Sequence, residues 1–313
     1  MGRGDQQRVT VARIGAGLDD VDPQLRLLAR VLPGGYGLHR GLTVPRAVMA
    51  LAARAGRRRD VTAAVVNSEV TVRIHRGARR DETGPALLWI HGGGTVMGRA
   101  AQEDRFCRML VNSTDVPVVA VDHRLAPEHP YPTPLEDCYA ALQWLSRQPW
   151  VDPARLAIGG ASAGGGFAAA LALLARDRGE VAAALQMLVY PMLDDRTGTG
   201  AGQPPRVMWS ARDNQLAWQW YLNGADPRVA VPARRQELAG LPRAWIGVGT
   251  LDLFHDECLA YGTRLGEAGV PVDLHIASGA FHAFDMLSPR AAVSQRFFAA
   301  QCRAVRDALV DRR

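Results

Sequence analysis

From about Asp60 onward, short apolar or β-branched runs alternate with longer stretches of helical periodicity. The runs Val70–Ile74, Ala86–Ile90, Val118–Val121, Leu156–Ile158, Leu185–Val189, Trp245–Val248 and Val272–Ile276 are predicted as strands, because each is short, apolar and bounded by turn residues. Several are apolar without alternation, the pattern of strands buried on both faces. Strand and helix in turn predict an α/β fold, a mostly parallel sheet with helices on either side. Before this region the pattern differs. Val21–Leu32 and Val44–Arg54 have helical spacing and are separated by Pro33-Gly34-Gly35, a strong turn signal. About 55 residues lie between the Leu185–Val189 and Trp245–Val248 runs, more than one crossover helix needs. They begin with Thr197-Gly198-Thr199-Gly200-Ala201-Gly202 and continue through Trp209, Trp218, Trp220 and Tyr221, which predicts an inserted, aromatic helical element.

Composition narrows the class of molecule without changing this layout. Apolar residues make up 48% of the 313 and charged residues 22%, ordinary globular values that exclude a disordered chain or a membrane bundle. The net charge of +6 does not imply nucleic-acid binding. Every basic residue is Arg, they are spread among Asp and Glu, and the densest run, Arg57-Arg58-Arg59, ends at Asp60 with no aromatic residue interleaved. Cys107, Cys138, Cys258 and Cys302 are too far apart for a zinc site or a disulfide framework and fit reduced thiols. Met1-Gly2-Arg3-Gly4-Asp5 leads into polar sequence without an apolar signal core, and no apolar run reaches the ~20 residues of a membrane helix. The expectation is a cytoplasmic protein with no stable membrane association.

Candidate chemistry sits where strands end. Leu156-Ala157-Ile158-Gly159 runs directly into Gly160-Ala161-Ser162-Ala163-Gly164, and a small-residue helix is predicted from Gly165 to Leu174. A Gly-x-Ser-x-Gly turn between strand and helix holds the hydroxyl up at the edge of a sheet, and the helix N-terminus favours negative charge beside it. His91-Gly92-Gly93-Gly94 follows the strand Ala86–Ile90, where side-chain-free residues can bring backbone N–H groups to a developing oxyanion. A phosphate-binding loop is disfavoured because no Lys follows. A serine hydroxyl needs a base, and downstream only His255, His275 and His282 are available. His275 lies inside a predicted strand and His255 opens a helical stretch. His282, in Gly279-Ala280-Phe281-His282-Ala283, lies on a loop just past the last strand and is the candidate base. Asp252 ends the strand-like Trp245–Leu251 segment and is the candidate acid that orients it; Asp256 falls one helical turn further on.

At these residues the chain resembles the hormone-sensitive lipase family of α/β hydrolases, in particular its bacterial esterases. Asp122-His123-Arg124-Leu125-Ala126-Pro127-Glu128-His129-Pro130 is similar to the family's segment after the oxyanion strand, and Gly249-Thr250-Leu251-Asp252-Leu253-Phe254-His255-Asp256-Glu257 to its acid motif. The resemblance covers about residue 60 to the C-terminus. It implies an α/β-hydrolase core over 59–313, an N-terminal helical cap segment over 1–58 and a second cap insertion at about 195–232. It also implies an oxyanion hole from Gly93, Gly94 and the N–H of Ala163, with Gly92 shaping the loop and His91 anchoring it. Glu128 and Glu257 would order loops. The sequence departs from the family pattern at Ala161, His123 and Leu253, and Thr95 and Val96 follow the glycines where an aromatic residue is usual.

The function implied is a serine carboxylesterase acting on small-molecule esters of short to medium acyl chains, with no metal and no organic cofactor. Trp209, Trp218, Tyr221 and Phe254 are the candidate pocket residues. An amidase, formamidase or acyltransferase with the same triad is the alternative, and a non-catalytic small-molecule receptor on this fold is less favoured because His282 is present. A homodimer is left open.

Overall fold

The computed structural model describes residues 17–56, 61–77, 83–199 and 207–311. The segments Met1–Asp5, Arg57–Asp60 and Gly200–Gly202 discussed above lie outside these residues. Eight strands form one sheet: β1 (Thr62–Val65), β2 (Thr71–His75), β3 (Gly84–Ile90), β4 (Val118–Asp122), β5 (Val151–Ala161), β6 (Leu185–Val189), β7 (Arg243–Gly249) and β8 (Val272–Ala277). Their order is β1-β2-β4-β3-β5-β6-β7-β8. β1 and β2 pair antiparallel, β2 runs antiparallel to β4, and every other pairing is parallel.

All seven predicted strands form. β6 matches its apolar run residue for residue and is buried throughout. β1 was not expected. It is a four-residue edge strand with three exposed positions, so no burial pattern marks it. β5 begins five residues before its apolar core, through the polar Val151–Arg155 stretch. The N-terminal stretch Val21–Leu32 is not one helix. A 3₁₀ turn at Leu18–Asp20 is followed by the short helix α1 (Arg26–Val31), which starts beyond Pro23 as proline geometry favours. Helix α2 (Thr43–Gly56) agrees with its prediction to within two residues at either end.

The remaining helices are α3 (Asp104–Thr114), α4 (Thr133–Ser146), α5 (Ala163–Arg178), α6 (Ala211–Leu222), α7 (Pro227–Ala230), α8 (His255–Glu267), α9 (Phe284–Leu287) and α10 (Ala292–Leu309). Right-handed crossovers place them. The chain steps one way from β3 to β4 and the other way from β4 to β5 and on to β8, so α3 covers one face and α4, α5 and α8 the opposite one. α10 packs against α3 on the first face, and α4 against α5 on the second. Between the layers Trp89, Trp245, Leu87, Leu88 and Phe297 are completely buried, each worth roughly 1.5–3 kcal/mol or more in transfer terms. Among the described residues no helix is long and apolar enough to cross a membrane.

Two consequences position the site. First, the reversal of strand order falls between β3 and β5, which opens a crevice at their C-terminal ends. Second, the N-terminal segment and the segment after β6 meet over those ends. The Asp213 carboxylate accepts the N–H of Tyr36 at 2.7 Å and of Leu38 at 2.8 Å, and Met208 N–H donates to Pro33 O at 2.9 Å. Tyr36 also packs on Trp209, ring centroids 6.0 Å apart. From below, Arg46 of α2 donates to Val96 O and Ala126 O and closes a bidentate pair with Glu128 at 2.6 and 2.7 Å, fastening α2 to the loops after β3 and β4.

Candidate active site

Ser162 is the hinge between β5 and α5. Its φ of 58° and ψ of −122° lie outside the ordinary regions for a side-chain-bearing residue, a strain that a protein holds only where the surroundings enforce it. They do so through the backbone. Ser162 N–H donates to Val189 O at 2.9 Å, and Ser162 O accepts from Gly166 N–H and Met192 N–H, both at 3.0 Å. The turn requires glycines around it, since a Cβ on Gly160 would lie 2.3 Å from Gly164 O, and one on Gly164 would lie 2.1 Å from Ile90 O. The hydroxyl is thereby held at the mouth of the crevice.

The structure brings Ser162, His282 and Asp252 together from three separate loops. His282 Nε2 is 2.9 Å from Ser162 Oγ, and His282 Nδ1 is 2.8 Å from Asp252 Oδ2. A carboxylate can only accept, so Nδ1 carries the ring proton and Nε2 accepts from the hydroxyl. Asp252 Oδ1 accepts the N–H of Phe254 at 3.0 Å, which fixes the carboxylate plane. All three residues are buried. Asp256 stands apart, its side chain 89% exposed and, among the described residues, bonded to His255 at 2.9 Å, and His275 lies within β8.

The glycine loop lies against the nucleophile. A Cβ on Gly92 would come within 3.3 Å of Ser162 Cβ. Gly93 has φ +126° and no room for a side chain, with Met97 O 2.0 Å from where a Cβ would sit; at Gly94 the Trp209 indole occupies that place at 2.1 Å. Among the described residues the N–H groups of Gly93 and Gly94 have no acceptor in the protein. Ala163 opens α5, where N–H groups are free of helix partners. Gly93, Gly94 and Ala163 thus offer backbone donors without a protein acceptor in the segments that flank Ser162.

His91 holds this loop from inside. Its Nδ1–H donates to Gly92 O at 2.8 Å, and its ring stacks on His123 at 4.2 Å and 8°. Burial lowers His91 to about 4 and His123 to about 3, so both rings are neutral and can stack without repulsion. His123, one of the departures from the family pattern, thus keeps an aromatic face against His91. Trp209 sits on Gly94, Trp218 and Tyr221 line a cavity beside Ala163, and Phe254 packs edge-on against His282 at 5.2 Å, behind the ring.

Sequence reasoning did not find two buried groups around the site, Tyr190 and Glu103, and named Glu257 as a loop-ordering carboxylate without its partners. Tyr190, just past β6, packs edge-on against His282 with ring centroids 4.9 Å apart and donates its hydroxyl to Asp285 Oδ1 at 2.9 Å. Glu257 accepts the N–H of Leu193 at 2.6 Å and the hydroxyl of Thr197, tying α8 to the loop after β6. Glu103, beneath the glycine loop, accepts from Gln102 Nε2 at 3.1 Å and faces Trp89 Nε1 at 3.4 Å. The available signal for Tyr190 was its place at the C-terminal end of a central strand.

Burial raises the Glu103 carboxyl to about 7, partly offset by its bonds to Gln102 and Trp89. Between its unfolded value of 4.5 and about 7, the folded protein holds a proton that the unfolded chain has lost. The stabilisation is complete below about 4.5 and disappears as pH rises through about 7. Glu103→Gln keeps the neutral shape, so it is expected to flatten that slope and to gain on the order of 3 kcal/mol over the wild type at pH 8. Urea unfolding at pH 4.5 and pH 8 measures this; an equal slope in both proteins would show that Glu103 is ionised when folded.

A serine hydroxyl, imidazole and carboxylate in line at the C-terminal edge of such a sheet define a hydrolase site of the α/β type, and the chain belongs to this family. The family model described as alpha/beta hydrolase fold matches residues 87–286. Among relatives, the esterase LipI of Mycobacterium tuberculosis is 38% identical over 209 residues, 64% of this chain and 65% of that protein. The match thus spans just under two thirds of LipI's length. An ethyl acetate hydrolase of Pseudomonas putida is 34% identical over 68% of this chain and 70% of its own length. Among solved structures, a bacterial heroin esterase superposes with a TM-score of 0.83 at 34% identity, covering 93% of this chain and 99% of that one. The similarities place the chain among α/β hydrolases of the hormone-sensitive lipase type.

Proposed function

We propose that the protein is a serine carboxylesterase that hydrolyses esters of short to medium acyl chains through an acyl-enzyme. The observation that carries this reading is the continuous hydrogen-bonded line from Ser162 Oγ through His282 to Asp252, at 2.9 and 2.8 Å. The names of the relatives, an esterase and an ethyl acetate hydrolase, support the same bond type.

The steps follow from the geometry. Ser162 Oγ attacks the ester carbonyl carbon while its proton passes to His282 Nε2, and Asp252 stabilises the imidazolium. The carbonyl oxygen, now negative, is received by the N–H groups of Gly93, Gly94 and Ala163. Collapse breaks the bond to the alcohol oxygen, which leaves with the proton from His282. A water then gives a proton to His282 and attacks the acyl carbon, and collapse breaks the bond to Ser162 Oγ, which takes that proton from His282 as the acid departs.

A panel of esters, anilides and formamides of matched acyl groups, assayed on the purified protein, tests the proposal. Esters are expected to turn over faster than their matched amides, with a burst of alcohol product equal to the enzyme present when deacylation is slower than acylation. Faster cleavage of the anilides would reassign the site to an amidase.

A further inference from the structure

We propose that this site is built for esters of two- and three-carbon acids, and that Phe167, Trp218 and Tyr221 are the residues that set the limit; the inference rests on the hydrolase reading above. The departing alcohol oxygen must lie toward His282, since that ring returns the proton to it. The acyl group is then directed to the other side of Ser162. A cavity lies there, lined by Thr95, Ala163, Phe167, Met192, Trp218 and Tyr221 among others, with no contribution from the loops that carry Asp252 and His282. Ala163, Gly166, Phe167 and Ala170 share one face of α5, so the cavity runs down that helix away from the nucleophile.

The cavity encloses only about 10 Å³. That is about what one water needs, and hence room for a methyl group and little beyond it. Aromatic rings fill the rest. Phe167 meets Tyr221 edge-on at 5.3 Å, and Tyr221 lies 6.0 Å from Trp218 and 5.9 Å from Tyr131. Phe167, Trp218 and Tyr221 are all buried and packed ring against ring, which resists their turning aside for a longer chain.

Room does exist behind this wall. A second, open groove of about 350 Å³ is lined by Tyr131, Leu135, Leu173 and Leu174, and it shares Ala170, Ala230 and Pro232 with the inner cavity. The two spaces meet at those three shared residues. A smaller residue in the wall should enlarge the inner cavity toward this groove and admit a longer acyl group, which is how a size limit differs from a general loss of packing.

The test compares p-nitrophenyl acetate, propionate, butyrate, hexanoate and octanoate for the wild type, Trp218→Ala, Phe167→Leu and Trp218→Phe. For the wild type, kcat/KM is expected to fall at least about tenfold between propionate and hexanoate, as one or more methylenes without a place to go would dictate. Trp218→Ala should raise the hexanoate-to-acetate ratio about tenfold or more, and Phe167→Leu should move it the same way. Trp218→Phe, which keeps a ring and removes the indole N–H, should keep the preference for short chains. A wild type that prefers hexanoate or octanoate overturns the proposal. So does an unchanged ratio in Trp218→Ala and Phe167→Leu proteins that melt cooperatively. Absence of Ser162-dependent cleavage of every ester, acetate included, would instead remove the hydrolase reading on which the proposal stands.

Discussion

Ser162→Ala is expected to lower kcat by roughly 10⁶-fold while leaving the fold intact. The size of the effect follows from the role of the oxygen. Without Oγ no acyl-enzyme can form, and what remains is the orientation of substrate and the backbone donors around it, which by themselves give a small residual rate. Survival of the fold follows from the local geometry. The strained backbone at Ser162 is held by the bonds of its N–H and C=O to Val189, Gly166 and Met192, none of which uses the hydroxyl. Alanine has a Cβ of the same size at the same φ, so the strain is unchanged, and the hydroxyl's partner His282 keeps its bond to Asp252. Initial rates on a short-chain ester, together with a melting curve, decide the matter. A folded Ser162→Ala protein with more than about a thousandth of wild-type turnover would take Ser162 out of the mechanism.

Asp252→Asn should lower kcat on the order of 10⁴-fold, whereas Asp256→Asn should change it only slightly. The reason lies in which oxygen is already committed. Oδ1 of Asp252 accepts the N–H of Phe254, so an asparagine in this place keeps its carbonyl on that donor and turns its NH₂ toward His282 Nδ1. Nδ1 must then accept, which puts the ring proton on Nε2, facing the hydroxyl that it should deprotonate. The ring is held in the wrong tautomer with the geometry preserved. Asp256 offers no such control, because its carboxylate is exposed and its bond among the described residues is to His255. Side-by-side kcat values for the two variants check the assignment; a larger loss in Asp256→Asn would mean that the acid lies one helical turn along.

Such a contrast between neighbouring carboxylates was readable from the sequence because strand ends are marked by apolar runs. Leu185–Val189 and Trp245–Val248 are buried on both faces, so their limits fix where the chain emerges at the sheet edge, and Asp252 emerges there. Ser162 and the glycines after His91 were legible for a related reason, since steric demand at those turns leaves few residue types able to occupy them. Strand β1 carried no such mark, being mostly exposed. The partners of the polar groups buried around the site were likewise unmarked. Tyr190 and Asp285 are 95 residues apart, and Glu257 and Thr197 are 60 apart, so a partner that makes burial tolerable is visible only once the chain is folded. The small volume beside Ala163 is likewise a property of three rings meeting, which no local pattern records.

The Asp213 carboxylate, nearly inaccessible to solvent, spends both oxygens on backbone donors from Tyr36 and Leu38, contributed by a part of the chain more than 170 residues earlier. Because the donors are main-chain groups, this contact does not itself depend on the side chains at 36 and 38, which are held by other packing, Tyr36 on Trp209 and Leu38 in the core, while the acid has no substitute of equal length and charge. The contact therefore constrains residue type at 213 and chain position, rather than residue type, at 36 and 38. Insertions follow a stricter rule, for a shift of one position in the loop between α1 and α2 moves both donors off the carboxylate together. The two halves of the roof over Ser162 are thus inherited as a pair: a chimera that took its first fifty residues from one esterase and its α6 from another would have to match loop length before it matched any side chain.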